Sequence, residues 1–530
     1  MLQVKEVLVL HQDRPSGIDR KPYFSWKIVS ERRNVMQKAY RIRVHSQTQT
    51  CVWDSGKIVS DQDAYVPYEG ESFESRKRYD CEITVWDDTD ESATANTYFE
   101  AAFLQESEWK AKWVVPRLPR KKAEKGFGNQ DPATLFRKVF LSSGTPVRAK
   151  LYSTCRGIYK LFINGTQCRI SEFAPEHTTY EKYLCYQVTD VTDRIMSGQN
   201  SLAMYVGDGW MFGAQSRAFM PDLKDAHGIL FQLEMEYEDG SIQTVISDES
   251  VECAYGPVRS SDLFAGEFYD ANCRPSDWQG VRVCNYGYKN LHAQIGESVT
   301  AVMELPVKSV LRTQNGETVL DFGQVLAGRV KMHVAEPKGT RITLEHSEVL
   351  DKNGNFFNNI SGKQGVGDGV DQKDVYISDG TEQIYEPLFT FHGFRYVRIT
   401  GLREIRMEDF TAIVLSSEQR NLSTFASSDE KLNRLYQNTR WSQRSNMLSI
   451  PTDCPQREKA GWTGDIQIYA KTALQNADLT GFLTRWLENL ECEQDDEGRV
   501  PCSTLEADRS AFNFGYSAWK NIFPLEKDRG

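Results

Sequence analysis

The chain has 530 residues, 40% of them hydrophobic, which is enough for three to four domains with ordinary cores. Its formal net charge of −11 excludes the basic surface that a nucleic acid or an anionic membrane would need as partner. A neutral ligand such as a glycan is compatible with this charge, and no run reaches the roughly 18 apolar residues of a transmembrane helix.

Met1–Leu10 is a broken apolar run that passes into His11-Gln12-Asp13-Arg14, with neither a signal-peptide apolar region nor a cleavage site. The 11 cysteines are odd in number, scattered and free of CxxC spacing, which predicts reduced thiols. Both features point to the cytoplasm. Residues 1–105 read as short strands, among them Val7–Leu10, Tyr40–Val44 and Tyr79–Trp86, separated by turn residues such as Pro15-Ser16-Gly17 and Asp54-Ser55-Gly56. That density of strands predicts a β-sandwich. Lys121–Pro132 is the most loop-like stretch.

A second β unit is expected over 133–290, with strands at Leu135–Phe140, Ala149–Ser153, Ile158–Ile163 and Ser201–Val206. Asn164-Gly165 after the third is a two-residue hairpin signal, and outweighs the glycosylation sequon that Asn164-Gly165-Thr166 also spells. A third β region spans 300–420, with strands at Val319–Gly323, Gly328–Val334 and Phe394–Ile399 and a polar, Gly-rich surface loop at Gly354–Gly369. From Ser427 the period becomes helical. Ser427 and Glu430 read as a capping box, Leu432, Leu435 and Tyr436 as an apolar face, and Ile466–Leu490 continues in that style. Residues 425–530 are therefore mainly α.

The helical part opens with the richest chemistry in the chain. Asp453 to Asp465 (DCPQREKAGWTGD) holds three carboxylates, a guanidinium and an indole. A sugar ring offers hydroxyls to carboxylates and Arg, and an apolar face to Trp. Glycosidic cleavage needs a carboxylic acid for the leaving oxygen and a second carboxylate on the opposite face. The structural alternatives are a solvated first-turn carboxylate for Glu458, helix caps for Asp453 and Asp465, and core packing for Trp462.

Elsewhere the signals are weaker. Eight histidines without HxH or HExxH spacing give no metal site. Asp368 and Asp371 lack EF-hand spacing, and Gly207-Asp208-Gly209-Trp210 lacks the Lys of a phosphate cradle. Trp210 and Phe212 read as core, with an exposed carbohydrate contact as the alternative. No cofactor is expected.

Asn446–Asp465 resembles the signature of bacterial α-L-rhamnosidases, glycoside hydrolase family 78. Phe24-Ser25-Trp26, Val52–Gly56, Tyr159–Gly165, Gly207–Trp210 and Phe389–Tyr396 lie upstream in family order. The resemblance implies N-terminal β-sandwiches, one of them fibronectin type III-like, followed by the first part of an (α/α)6 barrel. It implies hydrolysis of terminal α-L-rhamnose with inversion, Glu458 as general acid, and Asp453, Arg457, Trp462, Asp465 and Trp519 as the walls of the sugar subsite. The substrate class implied is a rhamnose-terminated oligosaccharide or glycoside.

Two departures from that pattern stand out. Lys459-Ala460 replace the usual Arg-Leu, a change at a packing position, and Lys520–Gly530 departs from the family pattern after Trp519. The tail resembles a frameshifted or truncated reading frame. A twelve-helix barrel needs roughly 200 residues, against the 106 from 425 to 530. The general base of the family is then expected to be missing, with a non-catalytic carbohydrate-binding remnant as the alternative function. Self-association through uncovered apolar helix faces is the expected consequence.

Overall fold

Alternating residues make alternating surfaces: along Arg78–Asp87 every second side chain is buried, as the apolar/polar pattern of Tyr79–Trp86 requires. The computed structural model describes residues 1–119, 132–213, 227–358, 360, 372–418 and 420–503. The segments 120–131 and 361–371, with the expected loops at Lys121 and Gly354–Gly369 in large part and the Asp368/Asp371 pair, lie outside them.

The first β unit is a sandwich of a three-stranded sheet, including Leu2–Val9 and Tyr23–Ser30, on a five-stranded one centred on Gln37–Ser46 and Arg78–Asp87. Its core is lined by Phe24, Trp26, Ile42, Val44, Ile83 and Phe99. A twelve-stranded sheet follows, running from Trp113–Pro116 to Leu291–Ala293. Within it Ile158–Ile163 pairs with Thr166–Gln167, and Asn164 (φ 50°) and Gly165 (φ 78°) make the hairpin turn between them. The Asn164 amide donates to Arg194 O and Asn200 Oδ1, so it serves the fold. Trp210 is fully buried in the core, which corrects the exposed-aromatic alternative for that residue.

The third sheet has ten strands and recruits Val258–Asp262 and Gly266–Asp270 from within the stretch expected to form the second unit. Phe268–Asp270 pairs in parallel with Val375–Ile377, while Gln279–Cys284 and Leu291–Ala293 return to the twelve-stranded sheet. The chain thus stitches the two sheets together. The two strands expected at 319–323 and 328–334 are one, Thr318–Val334, with a register shift between Asp321 and Leu326.

Among the described residues that follow, three helices form, Glu430–Asn446, Thr463–Asn476 and Thr480–Glu493. The first is capped by Asp429, whose side chain accepts from Lys431 N at 2.8 Å, not by Ser427. It packs against Thr318–Val334 and Phe410–Ser416. Contrary to the expected apolar face, Leu432 and Leu435 are exposed and the buried positions are Arg440, Gln443 and Ser445. Ile466–Leu490 is broken at Ala477–Leu479, which separates the second helix from the third. Ile466, Ala470, Ala473, Phe482, Leu483 and Trp486 form a core between them.

Candidate active site

The signature segment begins as a tight turn. Met447–Leu448 pairs with Ile450–Pro451 around Ser449, which takes the left-handed conformation at φ 66°. That strained turn is tied down on every side: Ser449 N donates to Ser417 Oγ at 3.1 Å, His177 N donates to Ser449 Oγ at 2.7 Å, and Arg485 Nη2 donates to Ser449 O at 2.9 Å. Thr452 N then donates to Asn446 O at 2.8 Å, and the chain enters the carboxylate loop in a fixed direction.

Asp453 closes this loop. Its N–H donates to Ala460 O at 3.0 Å and its Oδ1 accepts from Ala460 N at 3.1 Å. Inside the ring, Cys454 Sγ sits 2.9 Å from Asp453 Oδ2 and accepts from Glu458 N at 3.2 Å. Burial pushes the Cys454 thiol up to about 11, so it stays protonated and donates to Asp453. Burial also pushes the Asp453 carboxyl up, against the Cys454 and Ala460 hydrogen bonds, and the nearby charge of Glu458 adds to the push.

Glu458 is engaged through both oxygens. Trp462 Nε1 donates to Oε2 at 2.9 Å, and Arg457 Nη2 lies 2.7 Å from Oε1. Arg457 is exposed, so its end of this arrangement is open to solvent. Trp462 is half-buried at the N-terminus of the second helix, and the following Thr463 N donates to Cys502 O at 2.8 Å. Trp462 is thereby held as a fixed donor to Glu458.

Asp453 and Asp465 line one cleft of about 500 Å³, together with Asn446, Met447, Ile468 and Tyr469. Asp465 is exposed in the first turn of Thr463–Asn476, a position where the helix dipole favours a carboxylate. The structure therefore brings the five described candidates into two linked groups, Asp453 with Asp465 at the cleft, and Arg457 and Glu458 on the loop that Asp453 closes with Trp462 just beyond it at the start of the second helix. Trp519 lies outside the described residues.

Sequence reasoning placed Lys459 at a packing position but gave it no partners. It is fully buried at φ 51°, and its ammonium donates to the backbone carbonyls of Leu263 and Phe391, with the Phe391 ring centroid 4.4 Å away. The neighbouring Gln456 Nε2 donates to Glu348 Oε2 at 3.0 Å, and burial pushes the Glu348 carboxyl up. Glu348 lines a second cleft of about 250 Å³ with Arg395, Arg434 and Trp441. Leu263, Phe391 and Glu348 lie in connections beside strands that are distant in the chain, so no local spacing announces them.

Four family models match the chain: a Rha78A-like N-terminal immunoglobulin domain over 4–105, the α-L-rhamnosidase N-terminal domain over 144–319, the bacterial α-L-rhamnosidase concanavalin-like domain over 311–416, and the bacterial α-L-rhamnosidase 6 hairpin glycosidase domain over 420–522. An α-L-rhamnosidase of Formosa agariphila is 33% identical over 518 residues, covering 91% of this chain and 54% of that protein. The chain spans about half the length of the curated relatives it matches first. Among solved structures, the α-L-rhamnosidase from Dictyoglumus thermophilum superposes with a TM-score of 0.88 at 30% identity, over 98% of this chain and 61% of that one. The Streptomyces avermitilis α-L-rhamnosidase complexed with L-rhamnose gives 0.86 at 27% identity, over 95% and 66%. With these domains in this order and these likenesses along nearly all of its length, the chain belongs to the bacterial α-L-rhamnosidases of glycoside hydrolase family 78.

Proposed function

We propose that the site takes a terminal α-L-rhamnose and takes part in its hydrolysis with inversion. The observation that carries this reading is the Glu458 carboxyl, held by Trp462 Nε1 and the exposed Arg457 on the loop that Asp453 closes at the edge of the cleft. A general acid must carry a proton on the oxygen that faces the leaving group, so the Arg457 contact has to open. A sugar hydroxyl or ring oxygen reaching Arg457 would open it. Asp453 and Asp465 would hold hydroxyls from the cleft side, Trp462 would face the ring, and Trp519 is proposed as a further wall. An inverting site places its second carboxylate roughly 6.5–9.5 Å from the acid, with water between.

The likeness to the 6 hairpin glycosidase domain over 420–522 and the exposure of Leu435 and Ile468 support reading the three helices as the first part of an (α/α)6 barrel. The eleven free thiols support a reducing, cytoplasmic setting. A second reading, binding of rhamnosides without turnover, is favoured by one observation: Asp453 and Asp465 line the cleft, whereas Glu458 is not among its lining residues.

The test is nitrophenol release from p-nitrophenyl α-L-rhamnoside by the chain and by Glu458→Gln, with L-rhamnose binding measured by calorimetry. The expected outcome is a rate roughly 10²- to 10⁴-fold lower in the variant with binding retained. Equal rates would remove Glu458 from the chemistry. Binding by both proteins with no release from either would establish the second reading.

A further inference from the structure

Three side chains far apart in sequence meet inside the third sheet. His346, on Arg341–Ser347, lies between Asp374 on Lys373–Ile377 and His392 on His392–Thr400. All three are fully buried, and their ligating atoms lie within 4.8 Å of one another. The imidazole rings stack with centroids 4.2 Å apart.

The hydrogen bonds fix what each atom offers. His346 Nδ1 is 2.9 Å from Gln372 O, and a carbonyl only accepts, so the proton is on Nδ1 and Nε2 presents a lone pair. That Nε2 has no hydrogen-bond donor among the described residues, and it faces Asp374 Oδ2 at 3.8 Å. Two acceptors thus confront each other in a fully buried interior, too far apart to share a proton. A cation about 2 Å from each would span that gap. His392 Nε2 is 3.0 and 3.1 Å from the two Asp374 oxygens. Asp374 Oδ1 also accepts from Glu267 N at 2.9 Å. A ring held by a backbone carbonyl and a carboxylate held by a backbone N–H is the outer support that metal ligands carry.

We infer that His346 Nε2, His392 Nε2 and Asp374 form a buried site for a divalent transition metal of the zinc class, clamping three adjacent strands behind the signature loop. Two imidazoles and one carboxylate suit zinc or cobalt better than magnesium or calcium. Burial holds both imidazoles in the neutral form that ligates. On binding, His392 would carry its proton on Nδ1, and the widest donor pair would close by roughly 1.5 Å to reach tetrahedral spacing. Two buried cations compete nearby: Lys459, whose ammonium is anchored on Leu263 O and Phe391 O, and Arg329, whose charge also acts on Asp374.

The experiment uses the full chain, stripped with a chelator, dialysed and titrated with Zn²⁺ against a chromophoric competitor and with Co²⁺ followed by its visible absorption. One equivalent of zinc, cobalt d–d bands and a rise in melting temperature with zinc are expected. His346→Gln and Asp374→Asn, each checked for folding by circular dichroism, should lose all three. X-ray absorption of the zinc-loaded wild type should show imidazole scattering, which locates the ion even where a variant fails to fold. No binding by the wild type, a bound ion without imidazole scattering, or an equivalent retained by both folded variants would overturn the site and leave a hydrogen-bonded His–Asp cluster.

Discussion

Lys459 stands next to Glu458 in sequence and turns into the protein, where its ammonium meets two backbone carbonyls and an aromatic face. Burial lowers its pKa to about 7, although Asp262 and Asp374 oppose the fall. Between about pH 7 and the ordinary value near 10.5, the folded chain therefore binds fewer protons here than the unfolded chain, and stability from this group rises with pH. Lys459→Met should remove that slope, up to about 1.4 kcal/mol per pH unit, from the difference between variant and wild type. Urea unfolding of both proteins at pH 7.5 and 9 measures it, and parallel changes would refute it. In the sequence Lys459 reads as a change at a packing position and no more than that. The Leu263 and Phe391 carbonyls that define its role lie in connections between strands far away in the chain, so no local pattern could reveal it. Asp453, Arg457, Glu458, Trp462 and Asp465, by contrast, were legible because they share one short segment.

At the scale of elements, the third helix depends on a contact without side chains. Gly296, at φ 78°, and Gly481 approach so closely that a Cβ on Gly481 would lie 2.7 Å from Gly296 Cα. Next to this contact, Phe482 N donates to Glu297 Oε2 at 2.8 Å. Gly481→Ala should cost about 1–3 kcal/mol, because rigid backbone is what the new methyl meets. Limited proteolysis should then cut around Thr480–Glu493 earlier while the sheets persist, and an unchanged cleavage pattern would refute the close approach. The strands were the most legible elements, since a half-buried sheet imposes period two. The face of the first helix was misread because its buried positions, Arg440, Gln443 and Ser445, are polar, and the two larger ones find polar partners: Gln443 Nε2 donates to Ala473 O, and Arg440 pairs with Glu418. Periodicity of apolar residues cannot detect such a face.

At the scale of the molecule, sheets and helices are joined through buried polar groups. Arg485 pairs with Glu176 at 3.3 Å, both fully buried, and donates to Ser449 O. Deleting one partner of such a pair costs about 3–5 kcal/mol. His177 sits in the same junction, where burial and the Arg485 charge lower its pKa to about 3. His11, also largely buried, is lowered to about 4. Each binds fewer protons folded than unfolded between those values and about 6.5, so stability falls as pH drops through that window. Chemical denaturation at pH 7 and 4.5 should show the loss, and His177→Asn should reduce it by up to about 1.4 kcal/mol per pH unit; an unchanged difference would refute the junction's role in acid sensitivity. The sequence by itself determined what is local: strands by alternation, the Asn164-Gly165 turn by its backbone preference, and the candidate sugar site by the clustering of its residues. Only the tertiary structure decided which strands share a sheet, where Lys459 points, that Asp453 and Asp465 line one cleft, and that His346, Asp374 and His392 meet. Those outcomes depend on contacts between residues distant in the chain, and their closure is stabilised by the packing of the whole core.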